Sequence, residues 1–232
     1  QGLNEFRNGG SQCLNCHNGA ETTAAGWTTV QRRGGNTPTN AGFFRLGVTP
    51  VAEDAGLGGN DGFGLPLFPQ AIAAAQATFK APSLRNVEFT GPYFHDGGQA
   101  TLEQVLDFYG RQGDFPDGGN LGPGIGGIRL SAVEKAQVVA FLKALSDERV
   151  KFQKAPFDHP SLCVPNGHAE LAPGVLLADD AQTGVVAADK WALVDVVGRG
   201  GLAVPLQTFD ELLAGTGNDG SRANTMTKPC VP

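Results

Sequence analysis

The chain is short of charge, and its net charge has the wrong sign for a nucleic-acid-binding protein. Only 17% of its 232 residues are charged, and the formal net charge is −6. Proteins that bind DNA or RNA present a basic face to the phosphate backbone. This composition therefore argues against nucleic acid as a partner.

Long apolar runs are missing as well. No stretch approaches the ~20 apolar residues that a helix needs to cross a bilayer, so we expect no transmembrane segment in this chain. The opening residues, QGLNEFRNGG, lack the basic start and the apolar stretch of a signal peptide. We therefore expect the numbering to begin at a mature terminus or inside a longer precursor.

The sequence has few uninterrupted stretches suited to regular structure, because it contains 34 glycines and 15 prolines. Both residues interrupt helices and strands and favour turns. The hydrophobic fraction of 41% is ordinary for a globular protein, and the length suffices for one large domain or two small ones. We expect a few helices joined by long, ordered loops.

Cysteine is scarce, and two of the four cysteines stand in the string SQCLNCHNG. Cys13, Cys16 and His17 form a C-x-x-C-H motif, the attachment signature of c-type haem. Two thiols at this spacing reach the two vinyl groups of one porphyrin edge, and the next residue brings an imidazole under the iron. Two alternatives remain at this point: a thioredoxin-like disulfide, which needs a preceding strand and a following helix, and a zinc site, which needs a fourth ligand.

The other two cysteines, Cys163 and Cys230, would form a disulfide in an oxidising compartment and tether the C-terminal tail. Two buried free thiols are the alternative. A metal site that combines Cys163 with His159 and His168 is disfavoured, because prolines in this segment interrupt the helix that such spacing would need.

Apolar spacing predicts three helices in the first 150 residues. One precedes the haem motif, one begins at a capping box of Thr101 and Gln104 and ends at Gly110, and one runs from Ser131 to Glu148. The predicted buried positions are Leu3 and Phe6 in the first, Leu102, Val105, Leu106 and Tyr109 in the second, and Val138, Phe141, Leu142 and Leu145 in the third. Beyond Phe152 only TFDELLAG predicts a helix, short and capped.

The segment FKAPSLRNVEFTGPYFHDGGQATLEQVLDFY resembles the C-terminal haem domain of the bacterial di-haem cytochrome c peroxidase and MauG family. The similarity runs from Gln1 to about Arg149 and includes the haem motif, the PSLRN and GPYFHDG strings and the last helix. The resemblance implies a mainly α, cytochrome c-like haem domain with long Gly/Pro-rich loops over residues 1–150. Residues 151–232 are then an irregular C-terminal extension that wraps the domain.

The resemblance also implies the two ligands of the haem iron. His17 is the proximal ligand, and a second ligand stands fourteen residues after the histidine of the PYFHDG string; it is methionine in the peroxidases and tyrosine in MauG. Counting from His95 gives Tyr109, whose inward position on its helix agrees, since a buried phenol needs a partner. The alternatives are a core tyrosine bonded to a carbonyl or a propionate, and ligation by Met226, the only methionine. His95 is expected beside the haem rather than on the iron.

Four further residues receive cofactor roles. Lys80 and Arg85 flank the same segment and are predicted to pair with haem propionates; ordinary surface charges are the alternative. By the resemblance, Thr90 and Pro92 would bind a calcium ion through backbone carbonyls, although the family's remaining ligand comes from a second haem domain.

The family has two C-x-x-C-H motifs, whereas this sequence has one. We therefore predict a c-type cytochrome with one covalent haem c that transfers electrons to or from another haem or redox protein, in the bacterial periplasm or outside the cell. One alternative is that the chain is part of a di-haem, hydrogen-peroxide-dependent peroxidase or MauG-like oxidase. Another is a structural cytochrome subunit of a larger redox complex. No catalytic residue is assigned, and enzymatic activity is left open.

Overall fold

The computed structural model describes residues 1–8, 12–26, 42–60, 63–67, 76–116, 121–122, 124–168, 170–172, 175–176, 189–216 and 230. The chain divides into two compact units, Gln1–Asp147 and Glu148–Pro232. The α-helices of the described residues are α1 (Gly2–Asn8), α2 (Leu102–Gly110), α3 (Ala132–Lys143), α4 (Glu148–Lys151) and α5 (Phe209–Thr216). Their strands are β1 (Phe43–Phe44), β2 (Phe79–Lys80), β3 (Leu162–His168), β4 (Glu170–Ala172), β5 (Val175–Leu176) and β6 (Asp189–Val194).

In the first unit, α1 packs against α3. Phe6 is 4% exposed, and its ring centroid lies 5.1 Å from that of Phe141. A Cβ atom on Gly2 would lie 2.0 Å from the Gln137 carbonyl oxygen, so the close approach of the two helices requires glycine here. Leu3 is 46% exposed, and the prediction that it is buried with Phe6 is wrong. Gly2 and Phe6 share the face that meets α3. Leu3 lies beyond this face, about 100° round the helix axis from Gly2.

Capping boxes begin α2 and α3, as predicted. The Thr101 hydroxyl accepts from the Gln104 N–H at 3.1 Å, and the Gln104 side-chain oxygen accepts from the Thr101 N–H at 3.3 Å. Ser131 and Glu134 make the corresponding pair at the start of α3. Helix α3 ends at Lys143, earlier than predicted.

The core of the first unit lies where α1, α2 and α3 meet. Lys135 on α3 also contacts the carboxylate of Asp107 on α2, which ties these helices together at the surface. Buried apolar side chains from the three helices and from the segment before α2 form one cluster: Phe6, Leu84, Val87, Leu102, Leu106, Val138, Val139 and Leu142. Phe141 and Leu145 are partly buried against it.

Strands in the described residues are short and pair antiparallel in twos. Phe43 pairs with Lys80 and Phe44 with Phe79, which joins β1 to β2. In the second unit, β3 pairs with β6 and β4 with β5. The prediction of a mainly α protein is not confirmed, because the helices are few and short and small sheets accompany them in the described part of the chain.

The second unit is more regular than predicted. Cys163 pairs with Leu193 and Val164 with Ala192 across β3 and β6, where no strand was expected. Helix α5 confirms the short capped helix, since the Glu211 carboxylate accepts from the Thr208 N–H at 2.9 Å. The Cys163–Cys230 disulfide is present. No helix in the described ranges combines the length and apolar character that crossing a membrane requires.

Candidate functional site

A cavity of about 460 Å³ lies inside the first unit. This volume falls within the usual range of ligand and cofactor pockets. Its walls come from α1, the C-x-x-C-H turn, the β1–β2 pair, the segment that precedes α2, and helices α2 and α3. Most of the side chains that line it are apolar, among them Phe6, Phe44, Leu46, Val48, Phe79, Leu84, Val87, Phe94, Leu102, Leu106, Ile125, Ile128, Val138 and Leu142.

His17 borders this cavity with one ring nitrogen already committed to the backbone. Its Nδ1 lies 3.2 Å from the Pro82 carbonyl oxygen and 3.3 Å from that of Thr22. Both partners are acceptors, so Nδ1 carries the proton and Nε2 keeps its lone pair. Burial lowers the pKa of His17 against the opposing effect of the Thr22 and Pro82 carbonyls, which favours the neutral imidazole that binds metals. A hydrogen bond from the second nitrogen is the usual means of orienting a ligating histidine.

Cys13 and Cys16 border the same cavity. Cys13 opens a short 3-10 helix, Cys13–Asn15, and its carbonyl oxygen accepts from the His17 N–H at 2.9 Å, so the turn holds all three motif residues together. Burial, and secondarily the neighbouring Cys13, raises the pKa of Cys16 to about 11. A reactive redox cysteine has a lowered pKa instead, so this environment disfavours the thioredoxin-like alternative.

The zinc alternative loses one of its candidate ligands. Cys163 is bonded to Cys230 and has no thiolate to offer. His159 directs Nδ1 at the Pro160 carbonyl oxygen at 2.8 Å. Within the described residues, no group of three or more His, Cys, Asp or Glu side chains is placed to hold a metal ion.

Tyr109, near the end of α2, also lines the cavity. Burial raises the pKa of its hydroxyl, and the thiols of Cys16 and Cys13 add to the shift. The chain has two tyrosines, and they differ in their partners: the Tyr93 hydroxyl donates to the Val87 carbonyl at 3.1 Å, whereas no hydrogen bond of the Tyr109 hydroxyl is found among the described residues. A buried hydroxyl that faces a cavity needs a partner there.

The structure brings most of the other predicted residues to this cavity. Lys80, Thr90, Pro92 and His95 all line it. Arg85 is placed elsewhere, since its guanidinium donates to the Ala20 carbonyl at 2.8 Å. The Thr90 hydroxyl donates to the Val87 carbonyl at 3.1 Å. Met226 lies outside the residues that the structure describes. The calcium role of Thr90 and Pro92 and the propionate roles of Lys80 and Arg85 stay predictions.

Sequence reasoning missed one wall of the cavity. Phe44, Leu46 and Val48 all line it, and they alternate with other residues in the string FFRLGV. This period-two pattern is the signal of an extended segment with one buried face. Asp54 was also missed: its Oδ2 lies 3.2 Å from the Nε2 of His95, a contact between residues far apart in the sequence.

The residues present fit a haem c. The cavity is apolar, as a porphyrin requires, and two thiols with an adjacent histidine reach it from one turn. The free Nε2 of His17 and the hydroxyl of Tyr109 supply a nitrogen and an oxygen ligand of the types that haem iron takes in proteins.

Comparison with known proteins agrees with this assignment. The chain is 34% identical over 165 residues to the cytochrome c551 peroxidase of Nitrosomonas europaea, covering 69% of this chain and 37% of that protein. It is 36% identical over 97 residues to the methylamine utilization protein MauG of Methylorubrum extorquens, covering 41% of this chain and 27% of that protein. The chain thus spans well under half the length of these curated relatives.

A crystal structure of a MauG-like protein associated with microbial copper homeostasis has a related fold. It matches with a TM-score of 0.51 and 28% identity over 67% of this chain and 48% of that one. No protein-family model matches the chain. The peroxidase and MauG relatives, together with the haem motif on the wall of an apolar cavity, show that the chain belongs to the bacterial di-haem cytochrome c peroxidase and MauG family.

Proposed function

We propose that this chain is part of a di-haem, hydrogen-peroxide-dependent oxidoreductase of the peroxidase or MauG type, in which it holds the haem that passes electrons. The observation that carries the proposal is the meeting of Cys13, Cys16, His17 and Tyr109 at one apolar cavity. Its relatives named peroxidase and MauG support the enzyme class. Of the functions predicted from the sequence, the proposal favours part of a di-haem peroxidase or MauG-like oxidase over a cytochrome that transfers electrons with one haem alone.

Cys13 and Cys16 would hold the haem covalently through two thioether bonds. His17 would bind the iron through Nε2, because Nδ1 is held by the Pro82 carbonyl. Tyr109 would bind the iron through its hydroxyl oxygen. A bound haem supplies one-electron chemistry at the iron, and anionic oxygen ligation favours the ferric state relative to a methionine ligand. We therefore expect a lower reduction potential than in a His/Met cytochrome.

Ligation by both His17 and Tyr109 determines the role of this domain. Bound by both His17 and Tyr109, the iron would have no free position for hydrogen peroxide in this domain. Reduction of one hydrogen peroxide to two water molecules consumes two electrons and two protons. One haem c delivers one electron at a time, so turnover needs a second redox centre that also binds the peroxide. This division of roles places electron relay in the chain and peroxide chemistry at its partner.

The disulfide and the proposed covalent haem indicate the compartment in which the protein works. The Cys163–Cys230 disulfide closes a separation of 67 residues, and structural disulfides persist in oxidising compartments. Together with the covalent haem, this supports export to the bacterial periplasm or the cell exterior.

A single-haem electron carrier is the second candidate, and one observation favours it: the 232 residues contain one C-x-x-C-H motif. The two candidates differ in the haem count of the protein made by its native host. Intact mass combined with a pyridine haemochrome assay counts covalent haems directly. Two haems support the di-haem oxidoreductase, and one haem overturns it in favour of the single-haem carrier.

The double variant Cys13→Ala/Cys16→Ala provides the matched control in the same host. It should lose one haem and retain the other. Addition of one equivalent of hydrogen peroxide to the reduced natural protein should oxidise the haem bound by Cys13 and Cys16. The oxidation is seen as loss of the reduced α-band of that haem. A reduced band that survives excess peroxide would contradict the relay role.

A further inference from the structure

Phe94 has a backbone conformation that is unusual for its residue type. Its φ is +65°, in the left-handed region. Bulky side chains avoid this region because Cβ approaches the backbone too closely. Such residues persist where the surrounding structure imposes the conformation, often beside a functional site. Phe94 lines the haem cavity.

The ring of Phe94 completes a cluster of three aromatic rings, of which Phe94 and Tyr109 line the cavity. Its centroid lies 4.3 Å from that of Phe108 and 6.1 Å from that of Tyr109, the second in an edge-on arrangement. Phe108 and Tyr109 are themselves 5.5 Å apart and nearly perpendicular. Phe108 is completely buried, so it gives the cluster a fixed base. Tyr109 is the one member of the cluster with a polar tip.

Tyr93 fixes the backbone on the N-terminal side of Phe94. The Tyr93 N–H donates to the Gln99 carbonyl at 2.7 Å, and the Tyr93 hydroxyl donates to the Val87 carbonyl at 3.1 Å. The Gly97 N–H donates to the Phe94 carbonyl at 3.3 Å. These bonds close residues 93–99 into a compact turn.

The chain on the C-terminal side is held by His95. Its ring stacks on Phe79 with centroids 3.8 Å apart and planes within 14° of parallel. Its Nε2 lies 3.2 Å from Asp54 Oδ2, while Asp54 Oδ1 accepts from the Gly56 N–H at 2.9 Å. Both neighbours of Phe94 are thus fixed by separate contacts, which together hold its backbone at a positive φ.

We propose that Phe94 is a positioning residue for Tyr109. The turn at 93–99, anchored by the His95–Asp54 contact, presses the Phe94 ring against the phenol and keeps its hydroxyl directed into the cavity. Phe94 thereby limits how readily a small exogenous ligand displaces Tyr109 from the iron. This inference rests on the proposed ligation by Tyr109 and adds the residues that stabilise it.

The test uses the complete haem-loaded chain in the ferric state and follows cyanide binding by stopped-flow absorbance. Loss of one aromatic contact should raise the rate at which cyanide displaces Tyr109 by about two- to tenfold in Phe94→Ala. Phe141→Ala is the matched control, since Phe141 belongs to another ring pair of the same unit and does not line the cavity. It should bind cyanide at the rate of the unmodified protein, even if its thermal stability falls.

Asp54→Ala keeps the test decisive if Phe94→Ala does not fold. Asp54 is partly exposed, and its removal should increase the cyanide rate in the same direction by a smaller factor. Tyr109→Phe separates the two proposals. A faster rate in Tyr109→Phe with unchanged rates in Phe94→Ala and Asp54→Ala would overturn the positioning role alone. An unchanged rate in Tyr109→Phe would overturn both the ligation and the positioning role.

Discussion

Substitution of Phe6 by alanine tests how the first helix is attached to the haem domain. Phe6 is 4% exposed and packs on Phe141 of α3. Truncation of a buried phenylalanine to alanine typically costs about 3–5 kcal/mol. We expect the lower end of this range, about 3 kcal/mol, because the seven-residue helix α1 can shift toward the space that the ring leaves.

This loss should lower the melting temperature by about 6–12 °C, because 1 kcal/mol corresponds to roughly 2–4 °C in a chain of this size. Thermal unfolding of the haem-loaded chain, followed by far-UV circular dichroism, measures the shift. Leu3→Ala on the same helix is the control, since Leu3 is 46% exposed and surface substitutions usually stay within about 0.5 kcal/mol. Equal shifts for the two variants would show that α1 is not held through the Gly2–Phe6 face.

Three further predictions concern the helix starts and the second unit. Thr101→Ala removes the cap of α2 and should destabilise the protein by about 1 kcal/mol in chemical denaturation; no change in the denaturation midpoint would show that the cap is dispensable. The Ser131 hydroxyl and N–H lower the pKa of Glu134, so its stabilising contribution is present above the ordinary glutamate pKa and is lost as the pH falls through the lowered value. Glu134→Gln should therefore flatten the acid limb of the stability–pH curve, and an identical limb would contradict this linkage. Cys163→Ser should destabilise the second unit by about 4 kcal/mol under oxidising conditions, as expected for a separation of 67 residues. The same loss in a reducing buffer, where both proteins lack the bond, would assign the effect to another cause.

The proposed haem site could be predicted from the sequence where its chemistry is local. The C-x-x-C-H spacing is the attachment signature of haem c, so Cys13, Cys16 and His17 could be proposed without knowledge of the fold. The capping box that begins α2 is equally local, since the hydrogen bonds between Thr101 and Gln104 lie within one helical turn. The inward position of Tyr109 followed from its phase on that helix.

The contacts that support the site could not be predicted, because they join residues distant in the sequence. No local pattern relates His95 to Asp54 or to the ring of Phe79. The positive φ of Phe94 contradicts its intrinsic preference, and the contacts of Tyr93 and His95 on either side of it join distant parts of the sequence. Strands β3 and β6 were missed for the same reason, since their pairing is decided across the chain and not by alternation within either strand.

The direct test of the account is the identity of the ligand opposite His17. Resonance Raman spectroscopy of the ferric, haem-loaded chain detects an iron-bound phenolate through its enhanced ring modes. We predict that these modes are present in the unmodified protein and are lost in Tyr109→Phe. Tyr93→Phe is the control and should retain them, because the Tyr93 hydroxyl donates to the Val87 carbonyl. A spectrum without phenolate modes in the unmodified protein, or one that Tyr109→Phe leaves unchanged, would contradict the account.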